Sequence, residues 1–214
     1  MTRFRDADAT RARILEAAAE EFAAVGIAGA RVDRIAENAD ANKAMLYRYF
    51  GTKDELFDAV FTAHVVAFVE RIHFDPADLP GYATQLFDSY QDHPRTLRLT
   101  HWYQLERPDG EPLRAIVESH QVKLNAIADA QAAGTVPDDY SPVELLALVR
   151  GIAMAWDNLA PQLGSSTPEP RERRHAAVRD AVSRLIDVPK RHIGTESELK
   201  GTLPLPFANG SSSG

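Results

Sequence analysis

NADANKAMLYRYFGTKDEL, residues 38–56, packs three aromatic and three cationic side chains into one short stretch, with no anion between Ala41 and Lys53. Two short segments of helical period flank a turn at Ala39, Asp40 and Ala41. Val32 to Asn38 carries Val32, Ile35 and Ala36 on one face, and Asn42 to Phe50 follows. Two helices joined this way form a helix-turn-helix, whose second helix enters a major groove. Ala36 and Ala39 are small where the helices must cross. At 3.6 residues per turn Leu46 and Phe50 share a buried face, which turns Lys43, Ala44, Tyr47 and Arg48 elsewhere. A phenol that reaches past the helix suits a phosphate oxygen, and Arg48 and Lys53 suit it by charge. Asn42, Lys43 and Ala44 at the helix start are placed to face base edges.

Helical period continues outward in both directions, and no run alternates in the manner of a strand. The spacing predicts an all-α chain of nine helices. The first runs from about Ala9 to Val25 and stops at Gly26. The fourth opens on the capping box Thr52-Lys53-Asp54-Glu55 and continues through Leu56, Phe57, Val60, Phe61, His64, Val65, Phe68 and Ile72. Asp75-Pro76 and Leu79-Pro80-Gly81 read as its end. Tyr82 to Asp92, Pro94 to Arg107 and Glu111 to Ala133 follow. Ser141-Pro142-Val143-Glu144 caps the eighth helix, on which Ala147, Gly151 and Ala155 form a ridge of small residues. The ninth places Val178, Ala181, Val182, Leu185 and Ile186 on one face and ends near Pro189. Residues 190–214 lack periodicity and read as a flexible tail.

Gly26, Val32, Ile35-Ala36, Ala39, Leu46-Tyr47, Tyr49-Phe50, Lys53 and Leu56 resemble the DNA-binding region of the TetR family of bacterial transcriptional regulators. The likeness is specific over residues 10–60 and architectural beyond them. "HPRTLRLTHWYQLERP", residues 93–108, also looks like one actinobacterial branch of that family. The resemblance implies an N-terminal DNA-binding domain (1–52) and a C-terminal domain for ligand binding and dimerisation (53–189). It implies a homodimer that binds a palindromic, double-stranded DNA operator and is released by a small organic ligand. Tyr47, Tyr49 and Lys53 match phosphate-contacting positions and Asn42, Lys43 and Ala44 base-reading ones; Arg48 and Thr52 complete the expected DNA-binding set. The chain departs from the family in two places. Ala30 stands where a Thr usually caps the second helix, a cap worth about 1 kcal/mol, and Asp40-Ala41-Asn42 replaces Gly-Val-Ser before the third.

The 214 residues carry a net charge of −7, which argues against wholesale coating of nucleic acid. Residues 1–55 hold nine Lys or Arg against ten Asp or Glu, so the cationic stretch is a local focus. With no cysteine, disulfides and thiolate sites are excluded. No signal-peptide core or membrane-length apolar run occurs, so a cytoplasmic protein without membrane contact is expected. The seven His lack ligand-like spacing and no catalytic motif is found, so neither enzyme activity, cofactor nor metal is expected. An all-α enzyme, or a helical small-molecule-binding protein without DNA binding, is the alternative. His64, Phe68, Phe87, Tyr90, Trp102, Tyr103, His120, Asn125, Met154, Trp156 and Asn158 mix apolar bulk with polar handles and are candidates to line a ligand pocket. The apolar excess of the eighth and ninth helices, residues 141–187, predicts a four-helix dimer interface.

Overall fold

The computed structural model of the chain describes residues 2–110, 113–159 and 169–187; residues 190–214 lie outside them. Nine α-helices occur among the described residues, and no strand does. They are α1 (Thr2–Gly29), α2 (Val32–Asn38), α3 (Lys43–Phe50), α4 (Lys53–Arg71), α5 (Leu79–Asp92), α6 (Pro94–Glu106), α7 (Arg114–Ala132), α8 (Pro142–Leu159) and α9 (Arg171–Ile186). None is long and apolar enough to cross a membrane.

Local chemistry sets most boundaries. The Asn42 side chain accepts from the Met45 N–H at 2.8 Å, so Asn42 is the cap of α3 and not its first turn. Thr52 and Glu55 close a reciprocal capping box on α4, and Ser141 and Glu144 do the same before α8. Leu79-Pro80-Gly81 does not end α4; it is the first turn of α5. The Asp78 carboxylate accepts from the Gly81 N–H at 2.8 Å, and Pro80 sits where a helix needs no amide donor. A single 3₁₀ turn, Pro76–Asp78, precedes it.

The first helix passes the expected stop at Gly26, but with a break: Gly26 takes φ 77° and ψ −177°, a left-handed value that a side chain tolerates poorly. The short turn to Gly29 follows the break.

Two cores organise the chain. The first joins α1 to α3 with the N-terminal half of α4, around Ile14, Phe22, Ile35, Leu46, Phe57 and Phe61. Phe22 meets Phe57 edge-on with centroids 5.2 Å apart, and Leu99 of α6 closes this core from the other side. The second collects α5, α8 and α9 around Leu79, Phe87, Leu145, Val149, Val178 and Val182, with Ile127 from α7. Helix α4 thus enters both regions: Leu56 to Val65 belong to the first core, and Phe68 and Ile72 pack on the second. On α9, Val178 and Val182 are buried and Leu185 and Ile186 half-buried, whereas Ala181 is exposed.

Candidate nucleic-acid interface and ligand cavity

Helix α3 is held from behind. Leu46 is fully buried and Phe50 nearly so, while Asn42, Lys43, Ala44, Tyr47 and Arg48 are exposed on the outer flank, Tyr47 at 49%. In the turn before it Asp40 takes φ 48°, a left-handed value that Asp tolerates better than most residues. Tyr49 is half-buried against the first core, with the Arg48 guanidinium 5.3 Å from its ring centre. Lys43 is held by Asp33 of α2 at 2.6 Å. Thr52 is exposed and engaged with Glu55. Lys53 donates to the carbonyls of Ala28 and Ala30, both at 3.3 Å, and so closes the end of α1. The sequence alone did not suggest that tie, whose partners lie more than twenty residues upstream.

The residue that caps α2 is Arg31, one position after the expected Ala30, and it makes no side-chain cap. Another group serves the start of this helix. Glu21, buried in α1, accepts from the Arg31 N–H at 2.9 Å and from two nitrogens of Arg34 at 2.7 and 2.6 Å. The Arg34 bridge holds the Glu21 carboxyl below the usual carboxylate range, against the effect of burial.

Helix α6 joins this unit to the rest of the chain. The Trp102 indole donates to the Ala23 carbonyl at 3.3 Å. Glu106 accepts from the N–H groups of Ile27 (3.1 Å) and Ala28 (2.7 Å), the first two donors past the break at Gly26. Arg107 binds Asp54 at 2.9 Å and also Asp58 of α4. A Cβ on Gly26 would meet the Glu106 carboxylate and come within 2.9 Å of the Trp102 ring, so only glycine fits.

The opposite face of α6 looks into a cavity of about 150 Å³ between α4, α5, α6, α7 and α8. Thr96, Thr100, His101 and Gln104 line it from α6, Phe68 and Ile72 from α4, Tyr82 and Tyr90 from α5. His120 and Lys123 come from α7, Arg150 and Met154 from α8. Burial pushes the Tyr82 phenol up to about 12 and raises that of Tyr90. Burial, then the neighbouring Arg150 and Lys123, push His120 down to about 4.

Of the candidates named from sequence, the cavity brings together Phe68, Tyr90, His120 and Met154. His64 lies in a separate cleft with Arg71 and Arg95 and meets the Thr96 hydroxyl at 3.4 Å. Phe87 is fully buried in the second core, and Trp156 packs on it half-buried. Trp102 is committed to α1, and Tyr103 stacks on Phe61 at 4.5 Å. Asn125 is exposed and accepts from Gln121 at 2.8 Å. The side chain of Asn158 lies outside the described residues. Lys123, Arg150 and the α6 wall were not legible as a group, because their proximity is set by packing between distant helices.

Residues 14–60 match the family model "Bacterial regulatory proteins, tetR family", and residues 78–184 match "Tetracyclin repressor-like, C-terminal domain". The chain is 41% identical to the HTH-type transcriptional repressor SCO4008 of Streptomyces coelicolor, over 74% of its own length and 83% of that protein. The chain belongs to the TetR family. This TetR-family protein is 31% identical to the HTH-type transcriptional repressor NicS of Pseudomonas putida, over 64% of its own length and 70% of that protein. The crystal structure of the transcriptional regulator SCO4942 from Streptomyces coelicolor superposes with TM-score 0.76 at 39% identity, covering 84% of this chain and 99% of that one. The TetR-family relatives are transcriptional regulators and not enzymes, and this member is a transcriptional regulator.

Proposed function

We propose that this TetR-family regulator is a repressor, which binds a palindromic operator as a dimer through the outer flank of α3 and is released by a small organic molecule in the cavity behind α6. The observation that carries the operator reading is the division of α3. Leu46 and Phe50 are sealed into the core, whereas Asn42, Lys43, Ala44, Tyr47 and Arg48 share the exposed side. A short helix so divided offers base-reading groups at its start and phosphate-binding groups along its length. Lys53 serves the interface indirectly, by fixing the end of α1.

The dimer reading is supported by the surface of α8. Val143 is 62% exposed and Leu148 40%, beside exposed Ala147 and Gly151, and nothing lies within 4 Å of where a Gly151 Cβ would stand. Two copies facing along this surface would set the recognition helices about 34 to 36 Å apart, or slightly beyond, to match successive major grooves. A ligand acts by its preference for the spacing that does not fit.

The test is selection of duplexes from a random library by the full chain, followed by anisotropy titration of the recovered sequence. A palindrome is expected. Tyr47→Phe should weaken binding about tenfold through loss of one phosphate contact per subunit, and Lys43→Ala should also reduce its salt dependence. Recovery of no common sequence would reject the assignment.

A further inference from the structure

The cavity wall carries two cations and no anion. Arg150 and Lys123 both line it, and among the described residues no Asp or Glu does, in a chain whose net charge is −7. Among the described residues neither forms an ion pair. Other arginines are treated differently: Arg95, Arg107 and Arg171 each hold two carboxylates. Arg150 instead donates to the Nε2 lone pair of neutral His120 at 2.6 Å. Lys123 donates to the Ser119 hydroxyl and carbonyl, and its ammonium stands 5.9 Å from the ring centre of Phe74. All of these partners are uncharged.

Two half-buried like charges with only neutral acceptors form an arrangement that an anion would complete, since charges removed from water are ordinarily paired. The local field has the same sense: burial and the nearby guanidinium both lower the affinity of Lys123 for its proton. Phe68, Leu86 and Met154 give the same space an apolar side, and the remaining polar lining, Thr96, Thr100 and Gln104 among it, is uncharged. A volume of about 150 Å³ compares with cavities that admit benzene.

Resting on the reading of this cavity as the ligand site, we propose that it takes a small organic anion. The ligand is a carboxylate bound between Arg150 and Lys123, with a single ring or branched chain of similar bulk against the apolar wall. Guanidinium suits a carboxylate by its planar fork, and the ammonium adds a point charge on the other side.

Three molecules of nearly one shape test this on the full chain by calorimetric titration: benzoate, benzamide and benzamidine, which differ in charge at the same position. Benzoate is expected to bind about tenfold or more tightly than benzamide, as charge-assisted hydrogen bonds exceed neutral ones, and benzamidine weakest. Arg150→Met and Lys123→Met should each shrink the benzoate preference, and the double variant should abolish it. The ligand-free melting temperature of each variant should hold or rise, because an unpaired cation has been removed. Benzamide or benzamidine binding as tightly as benzoate, or full preference surviving in the double variant, overturns the anion assignment while leaving the cavity a ligand site. No binding of any of the three at millimolar concentration overturns both.

Discussion

Replacing Glu106 with Ala removes one carboxylate and strands two backbone donors. The two do not count equally. Ile27 is 5% exposed, so its N–H has little access to water and loses its partner at about 1–2 kcal/mol, whereas the N–H of exposed Ala28 is resolvated at about 0.5 kcal/mol. The sum, about 2 kcal/mol, corresponds to a fall in melting temperature of about 4–8 °C for a chain of this length. Urea unfolding of Glu106→Ala beside the parent reads the energy, and amide exchange at Ile27 and Ala28 reads the place. Glu106→Gln, which keeps one acceptor oxygen, should lose about half as much. The loss should also remove the hydrogen bonds that tie α6 to the turn after Gly26, so operator binding should respond less to any cavity ligand. A Glu106→Ala protein within about 0.5 kcal/mol of the parent, or one whose extra exchange lies elsewhere, would refute this account of the joint.

Asp33→Asn should release Lys43 and remove a negative charge from the flank of α3, tightening operator binding several-fold at low salt, as anisotropy would show. Gly151→Arg points into open space in the single chain, so each subunit should fold; light scattering should report a monomer, with loss of operator binding. Glu21 carries the pH dependence of the N-terminal unit. Its folded carboxyl titrates below the ordinary value, so its stabilisation is present above the ordinary carboxylate range and is lost as pH falls through the depressed folded value. Glu21→Gln should be less stable than the parent at pH 7 and lose less on acidification below about pH 4, measured by urea midpoints.

The parts legible in the sequence are those decided locally. The cap at Asn42 and the boxes at Thr52 and Ser141 follow from side chains within three residues of the backbone they serve. Pro80 misled, because a proline that ends one helix is chemically the same as one that opens the next; Asp78 in its cap decides between them. The continuation of α1 past Gly26 is fixed by Glu106, about eighty residues away, and no local pattern announces it. The cavity was partly visible through aromatic and His positions on α4, α5 and α7. Its charge was not, since Lys123 and Arg150 look like ordinary helical cations until their shared cavity, and their lack of an ion pair among the described residues, is seen in space. Trp102, conspicuous by size, serves the seam with α1 instead.

The break at Gly26 has a genetic corollary. Any change in the first or second base of a glycine codon adds a side chain or ends the protein, and here a side chain would strike the Glu106 carboxylate and the Trp102 indole. A screen for alleles that derepress the target should therefore return this codon repeatedly, although the residue reaches neither duplex nor effector, and the revertants should map to α6.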